Sequence, residues 1–405
     1  MTTTHGPLGM HPAATGGNQM VLSMGPQHPS THGVLQVLTE IEGEVITKAD
    51  PEIGYLHTGI EKSAENLFWH QASTVIERMD YLSPLTNSMC YVLGVEKLLG
   101  ITGEIPKRAQ QVRVLLCELS RIASHCVWLG TGGIDLGAIS PFFYAFDMRE
   151  NILDLFEASG GARMHPNYLR IGGLRDDIPQ GFLDRLDDLI KKFPGRMREL
   201  RRVLQNNPIV QDRMIEVAVL EPEEAVAWNV SGPVLRGSGI AYDVRKAFPY
   251  SGYEQYEFDV PTRSEGDAYA RFLVRLDEMD ESMRIISQVR KQLVTGPVML
   301  DDTKVAPPPK EAIALSMEAL IHNFKYVSEG FRVPPGDVYQ AVEGPRGELG
   351  YYIVSNGENR PWRVRTRPPS MYNLQVLKKL AIGELIADMV VCIGSLDPVF
   401  GEVDR

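Results

Sequence analysis

Two of the nine histidines lie four residues apart in the segment "MGPQHPSTHG", residues 24–33. This is the spacing at which two imidazoles on one helix face can share a metal ion. However, Pro29 follows His28, and proline disfavours the helical conformation of the residue that precedes it. The sequence therefore predicts a turn rather than a helical metal face. In that turn, His28 and His32 either bond the backbone or lie at a loop tip inserted into a cavity.

A tyrosine and an aspartate are further candidates for proton chemistry. Tyr81 follows Asp80 in "ERMDYLSPL", at an expected junction between two helices. Its phenol either packs half-buried against an acceptor or donates a proton to a carbonyl group. Asp135 lies in "GTGGIDLGAISPFF", which we expect to be a glycine-rich connection, and Ser140 is the better N-cap for the following helix. Asp135 therefore has no evident structural role, and it would raise the pKa of a histidine that it contacts.

A third candidate segment is "GGARMHPNYLR", which places His165 between Arg163 and Arg170. These side chains form either a solvated surface loop or a positively charged collar that faces an anionic partner or a redox centre. The nearby basic run "KKFPGRMRELRR" is more typical of a solvated helix face.

Composition excludes several function classes. The 405 residues carry a formal net charge of -11, which argues against a nucleic-acid partner because phosphate binding requires a positive surface. The sequence contains no GxGxxG opening a helix, no P-loop, no HExxH and no GxSxG, so nucleotide binding, hydrolysis and zinc proteolysis lack support. The four cysteines form no CxxC pair, which favours free buried thiols over disulfides or a metal site. They are Cys90, Cys117, Cys126 and Cys392.

Hydrophobic periodicity predicts the elements that position these residues. Alternating apolar and polar residues on either side of Gly43 predict a β-hairpin. From residue 60 the spacing becomes helical and predicts, among others, one helix over about 60–79, one over about 178–205 interrupted at Pro194, and a last one over 371–393.

The predicted fold class is helix-dominated α+β, with β pieces covering a central helical bundle. Short strands are expected over 208–263, and a strand pair flanks the predicted turn at Asn356 and Gly357. No window approaches the roughly 18 apolar residues that a membrane span needs. The expected organisation is a flexible N-terminal lead (1–20), a β region with the histidine loop (21–57), and a helical domain (58–405) with β insertions at about 208–263 and 331–370.

Several long segments, in one order, resemble the D-type, quinone-site subunits of NADH-quinone oxidoreductases, the respiratory complex I family. They include "GPQHPSTHG", "GYLHTGIEK", "RMDYLSPL", "GIDLGAISPFF", "YDVRKAFPY" and "DPVFGEVDR". The resemblance covers residues from about 20 to 405. It implies a chain that helps to form a quinone-reduction site and that takes part in coupling electron transfer to proton translocation.

The resemblance also implies roles for individual residues. Tyr81 and His32 would hydrogen-bond the two quinone carbonyls and supply protons, and Asp135 would pair with His32. His28 would form a secondary polar wall in the same loop. The His165 segment with Arg163 would lie near a tetranuclear iron–sulfur cluster carried by a neighbouring subunit.

One position departs from the pattern of the family. Many members have an arginine before "GIEK", near that cluster, whereas this chain has Thr58. The resemblance therefore does not imply tuning of the cluster by a cation at this position.

The family is in turn similar to the large subunits of nickel–iron hydrogenases, so the fold is expected to be like theirs. Hydrogenases bind their metals through two pairs of cysteines. Here Leu82 and Leu85 stand in the first pair of places, and Val399 and Glu402 stand in the second. Leucine and valine cannot ligate nickel, so the expected site is an apolar pocket in which this chain holds neither a metal nor a nucleotide.

The implied partners are a quinone, ubiquinone or menaquinone or plastoquinone, and other complex I subunits. Those subunits are the cluster-bearing B-type, the C-type, the ferredoxin-like I-type and the membrane-embedded H-type. The implied location is peripheral, on the cytoplasmic side of the cell inner membrane. Two alternatives are a non-catalytic scaffold between the cluster-bearing subunit and the membrane arm, and a hydrogenase large subunit, which the missing cysteines disfavour.

Overall fold

The computed structural model describes residues 10–12, 19–302 and 304–405, and helices make up most of this part of the chain. Within these ranges no helix has the length and apolar character that crossing a bilayer requires. The helices are α1 (Ile60–Asn66), α2 (Trp69–Ile76), α3 (Pro84–Leu99), α4 (Lys107–Asp135), α5 (Ser140–Gly160), α6 (Phe182–Leu200), α7 (Pro208–Met214), α8 (Pro222–Ala227), α9 (Pro233–Gly237), α10 (Val244–Ala247), α11 (Ala268–Gln292), α12 (Lys310–Leu315), α13 (Met317–Ser328), α14 (Pro369–Gln375), α15 (Leu377–Leu380), α16 (Met389–Leu396) and α17 (Phe400–Asp404).

Small antiparallel sheets accompany the helices, which confirms the helix-dominated α+β class. One sheet has the order β1-β2-β3-β4, a second pairs β5 with β6, and a third has the order β7-β8-β9. The strands are β1 (Met10–Pro12), β2 (Gln19–Met24), β3 (Gln36–Glu42), β4 (Val45–Glu52), β5 (Leu169–Arg170), β6 (Gly173–Leu174), β7 (Gly336–Gly344), β8 (Gly347–Ser355) and β9 (Arg363–Arg367).

Helix α4 forms the centre of the molecule and packs against α3, α5, α11 and α16. Every residue from 111 to 126 is buried, including charged ones, because partners surround this helix on all sides. The buried Arg113, for example, pairs with Glu96 at 2.6 Å, as an ionised group in a protein interior requires.

Two predicted strand pairs are confirmed. The hairpin around Gly43 is the β3–β4 pair, in which Glu42 lies opposite Val45. The pair around Gly357 is β8–β9, with Val354 opposite Arg363. In the predicted lead, residues 1–9 and 13–18 lie outside the described ranges, and Met10–Pro12 pairs with β2.

The prediction of strands over 208–263 is wrong. This segment carries α7, α8, α9 and α10 instead. Three of these helices begin at a proline, namely Pro208, Pro222 and Pro233. Proline is well suited to the first helical position because its fixed φ matches the helix and no N–H is needed there.

Three predicted helices have other bounds than expected. The pattern over 60–79 divides into α1 and α2 because Leu67 and Phe68 are extended. Helix α6 continues through Pro194, which is solvent-exposed, so the carbonyl that loses its helical partner can bind water. The pattern over 371–393 is broken where Gly383, at φ 88°, donates to the carbonyl of Ile46 at 2.8 Å and the chain joins β4.

Candidate functional site

The histidine loop is a short 3-10 turn, Pro29–Thr31, with a histidine at each end. His28 is extended (φ -140°, ψ 138°), as the following proline predicts, and its Nδ1 accepts a hydrogen bond from the Ser30 N–H at 3.3 Å. His32 adopts the left-handed conformation at φ 54°. The two imidazoles therefore do not share a helix face.

The loop is braced from within. The Thr31 hydroxyl is buried and lies 3.1 Å from the carbonyl of Pro26 and 3.0 Å from that of His28. A Cβ at Gly25 would lie 2.1 Å from the carbonyl oxygen of Leu35, so only glycine fits there. These contacts fix the direction in which His32 leaves the loop.

His32 combines solvent exposure with close protein neighbours. The residue is solvent-accessible, yet enough protein surrounds its ring that desolvation lowers its pKa. The Asp397 and Asp135 carboxylates act to raise the pKa of His32, whereas the Arg346 guanidinium lowers it further. The imidazole also approaches the ring of Phe400, with 5.9 Å between centroids. His32 thus combines one apolar neighbour with charges of both signs.

Asp135 is the last residue of α4 and not part of a loop, so its predicted placement is wrong. The helix runs through Gly132 and Gly133 and ends where Gly137 turns left-handed at φ 84°. A carboxylate is electrostatically unfavourable at a helix C-terminus, and burial raises the pKa of Asp135 while His32, Ser30 and His28 oppose the rise.

The Asp135 carboxylate reaches the histidine loop directly. Its Oδ1 accepts a hydrogen bond from the Ser30 hydroxyl at 3.4 Å. The expectation for Ser140 is also wrong, since it is the first residue of α5 and Ile139 occupies the N-cap without a side-chain hydrogen bond.

Tyr81 lies between α2 and α3, as predicted, and is half-buried. Burial raises the pKa of its phenol. The nearby Arg346 opposes this rise in the pKa of Tyr81, whereas Asp80, Asp397 and Glu402 add to it. Tyr81 and His32 therefore lie within electrostatic reach of the same two groups, Asp397 and Arg346.

Sequence reasoning missed Arg346, which organises the site. It occupies the tight turn between β7 and β8, where a side chain is usually exposed, yet it is only 1 % exposed. Its guanidinium donates to Asp80 Oδ2 at 2.9 Å, to Ser124 Oγ at 2.9 Å and to the main-chain carbonyl of Asp397 at 3.1 Å. The signal in the sequence is an arginine flanked by proline and glycine in "EGPRGELG".

Asp397 and Glu402 are two further acidic residues that were not predicted to act here. Asp397 is left-handed (φ 52°), and within the described residues its buried Oδ2 has no hydrogen-bond partner. Glu402 accepts a hydrogen bond from the Ser370 N–H at 3.0 Å, and burial, with the Asp80 charge, raises the pKa of Glu402 to about 7.

The two segments that we expected to correspond to hydrogenase metal-binding motifs meet at this site. Gly401 packs so closely on the first segment that a Cβ there would lie 2.4 Å from the carbonyl oxygen of Met79. Leu85 and Val399 are buried and Leu82 is half-buried, so apolar side chains stand in three of the four expected thiolate places, and the buried Glu402 stands in the fourth. These residues do not fit a nickel–iron centre. Within the described part of the chain, no group of three or more histidine, cysteine, aspartate or glutamate residues could hold a metal ion.

The remaining candidate residues are placed differently. His165 is half-buried, and its pKa is lowered by burial and by Arg78, whereas Asp80 opposes this change. It therefore lies within electrostatic reach of the segment that precedes Tyr81. Arg163 is exposed and pairs with Glu150, with Nη2 and Oε2 2.7 Å apart. Thr58 is exposed just before α1. No contact joins Arg163 or Thr58 to the charges around His32 in the described structure.

All four cysteines are buried free thiols. Burial raises the pKa of Cys117 and of Cys392 to about 12, so both stay protonated at neutral pH.

Known proteins share this arrangement of segments. The family described as "Respiratory-chain NADH dehydrogenase, 49 Kd subunit" matches residues 135–405. The first D-type NADH-quinone oxidoreductase subunit of Symbiobacterium thermophilum is 52% identical over 389 residues, which is 96% of each chain. The second D-type subunit of Chloroflexus aurantiacus is 51% identical and covers 98% of this chain and 97% of its own. The D-type subunit of Citrifermentans bemidjiense is 50% identical and covers 95% of this chain and 99% of its own.

Proposed function

The chain belongs to the 49 kDa subunit family of respiratory-chain NADH dehydrogenase, and from this membership and the geometry of its site we propose that it forms the quinone-reduction site of the enzyme. The observation that carries the proposal is that His32 and Tyr81 both lie within electrostatic reach of one buried ion pair, Arg346–Asp397. A quinone headgroup needs apolar surroundings with a few polar groups, and His32 has the Phe400 ring as an apolar neighbour.

The reaction is Q + 2e⁻ + 2H⁺ → QH₂, and the protons must come from groups within hydrogen-bond reach of the two carbonyl oxygens. In this proposal, His32 in its protonated form donates to one oxygen and the Tyr81 hydroxyl donates to the other. The Asp135 and Asp397 carboxylates favour the protonated form of His32, because both act to raise its pKa.

Arg346 assists the other donor. Once Tyr81 gives up its proton, a phenolate remains in a half-buried position, where an unpaired charge is unfavourable. The Arg346 guanidinium stabilises that phenolate, in keeping with its opposition to the raised pKa of Tyr81. His28 forms the polar side of the same loop.

Electrons would reach the quinone from a tetranuclear iron–sulfur cluster in the B-type subunit. The His165 loop with Arg163 and the exposed Thr58 would face that subunit. The C-type, I-type and membrane-embedded H-type subunits complete the proposed surroundings, at the cytoplasmic face of the inner membrane. There the site would help to couple quinone reduction to proton translocation.

Two substitutions in the assembled enzyme test the proposal. We expect His32→Ala and Tyr81→Phe each to lower quinone reduction by roughly a hundredfold or more, because each removes one proton donor. Reduction of the iron–sulfur clusters by NADH, followed by spectroscopy, should remain normal. His322→Ala on α13 and Tyr352→Phe on β8 are matched controls outside the site.

The scaffold alternative makes the opposite prediction for the same variants. If this chain only links the cluster-bearing subunit to the membrane arm, both His32→Ala and Tyr81→Phe enzymes will reduce quinone at the normal rate once assembled. Near-normal turnover in both would refute the catalytic assignment.

A further inference from the structure

Two arginines of α11, Arg271 and Arg275, are fully buried without a carboxylate as hydrogen-bond partner in the described structure. Arg271 donates to the Ser395 hydroxyl at 2.8 Å and to the carbonyls of Ala218 (2.7 Å) and Gly266 (2.9 Å). Arg275 donates to the Ser395 carbonyl at 2.8 Å. Burial lowers the pKa of each guanidinium to about 10. Burying cations in this way is unfavourable, so we looked for what the two guanidinium groups hold in place.

Arg275 and Trp128 hold the end of α16. The Arg275 guanidinium stacks on the Trp128 ring, 4.4 Å from its centroid. The Trp128 indole N–H donates to the carbonyl of Gly394 at 2.6 Å, next to the Ser395 carbonyl that Arg275 binds. The last carbonyls of a helix lack intrahelical partners and attract cations. These two side chains, from α4 and α11, therefore fix the C-terminus of α16.

Asp397 follows directly after this helix end. Its left-handed conformation is unfavourable for a residue with a Cβ, so neighbouring contacts must maintain it. On one side Arg346 holds its main-chain carbonyl at 3.1 Å. On the other side, Arg275 holds the Ser395 carbonyl and Trp128 holds the Gly394 carbonyl. The carboxylate between these two anchors has a buried oxygen, Oδ2, that is left without a hydrogen bond among the described residues.

We propose that Arg275 is a positioning residue that, by holding the Ser395 carbonyl, fixes the Asp397 carboxylate at the distance from which it acts on His32 and Tyr81. The inference rests on the proposed proton-donor roles of those two residues. Arg275 touches neither of them.

Several other charges face the same groups and stay in place when Arg275 is changed. Asp135 from α4 and Arg346 from the β7–β8 turn act on His32. Arg346, Asp80 and Glu402 act on Tyr81. Glu278, Arg236, Arg346 and Asp397 face Arg275 itself. Among these charges, Asp397 affects Arg275, His32 and Tyr81. It also directly follows α16, so the contacts that fix the end of this helix fix its position too.

The test is the pH profile of quinone reduction by the assembled enzyme with a water-soluble quinone. The alkaline limb of kcat/KM reports the loss of the donor proton from His32. In Arg275→Met, Asp397 is held from the Arg346 side alone. Its effect on His32 weakens, and His32 loses its proton more readily. We expect the limb to move to lower pH by about 0.5–1 unit.

The direction of the shift separates positioning from a direct effect of charge. Removing a nearby cation would by itself favour protonated His32 and move the limb to higher pH. A shift to higher pH, or no shift, would therefore overturn the inference.

Arg271→Met is the matched control. Arg271 lies one turn away on the same helix, is equally buried, and binds the side chain rather than the carbonyl of Ser395. It should lower the stability of the enzyme to a similar degree and leave the alkaline limb where it is. An equal shift in Arg271→Met would also contradict the inference.

Two more variants keep the test decisive if Arg275→Met does not assemble. Arg275→Lys retains a cationic donor, so its alkaline limb should lie close to the wild-type position. A shift as large as the one expected for Arg275→Met would count against the positioning role. Trp128→Phe removes only the indole N–H that holds the Gly394 carbonyl, and it should move the limb in the same direction as Arg275→Met; no shift in this variant would count against the inference.

Failure of this inference is distinguishable from failure of the proposed function. If Asp397→Asn moves the limb and no Arg275 variant does, only the positioning role is lost. If His32→Ala reduces quinone normally, the proposed function itself is wrong.

Discussion

Replacing Arg346 with methionine tests how the site is held together. The native guanidinium bonds Asp80 at 2.9 Å, Ser124 at 2.9 Å and the main chain of Asp397 at 3.1 Å. Methionine fills much of the same volume and has neither the charge nor the donors. Asp80 and Asp397, each 3 % exposed, would then face each other without the cation that separates them.

The magnitude follows from these contacts. Removing one partner from a buried ion pair costs about 3–5 kcal/mol, because the remaining charge stays buried. The loss also weakens Tyr81 in its proposed role as a proton donor, since Arg346 is the charge that opposes the raised pKa of its phenol. Each further unit in the pKa of Tyr81 corresponds to about 1.4 kcal/mol, up to roughly tenfold in rate.

Two assays separate the effects. The temperature at which the assembled enzyme loses half its activity reports stability, and quinone reduction per assembled enzyme reports chemistry. Arg346→Met should lower both. Arg113→Met removes an equally buried arginine, paired with Glu96 and remote from the site, and should lower only the first.

A double variant provides the refuting result. Asp80→Asn removes one negative charge, which Arg346 balances in the native protein and which raises the pKa of Tyr81. Asp80→Asn combined with Arg346→Met should therefore be more stable and more active than Arg346→Met alone. If the double variant is no more stable than the single one, the buried ion pair is not what Arg346 contributes.

Two further predictions concern the segment from Val399 to Asp404. Because the pKa of Glu402 is raised to about 7 in the folded protein, folding favours its protonated form, and its contribution to stability is present at pH 4 and lost as the pH rises through 7. Glu402→Gln should therefore raise the thermal midpoint at pH 8 by the equivalent of roughly 1–3 kcal/mol and change it little at pH 4.5; an equal gain at both pH values would contradict this. Gly401→Ala should cost about 3 kcal/mol or prevent assembly, because the new Cβ would meet the Met79 carbonyl at 2.4 Å. Gly103→Ala, which has open space, is the control, and equal thermal midpoints for the two variants would refute the packing argument.

Local rules accounted for much of the site. The extended conformation of His28 follows from Pro29, a steric effect between adjacent residues. The β3–β4 and β8–β9 pairs follow from alternation and from turn residues at Gly43 and Gly357, which again act over a few positions.

Features that depend on distant contacts were not predictable in this way. The glycines before Asp135 indicated a loop, but the neighbours of α4 stabilise the helix to its last turn. Arg346 looked like an ordinary turn residue, since nothing within ten positions of it shows that Asp80 and Asp397 will surround it. The short helices over 208–263 likewise depend on tertiary packing that overrides local alternation.

The hydrogen bond between Arg346 and Asp80 closes a span of 266 residues. Contacts of such long range carry a large loop-closure entropy and generally form late in folding. A partly folded chain would thus contain long stretches of native helix and still have no site at all, because His32, Tyr81, Asp135 and Arg346 meet only when the whole chain has closed. A folding intermediate that lacks the hydrogen bond between Arg346 and Asp80 would therefore also lack the arrangement of charges around His32 and Tyr81.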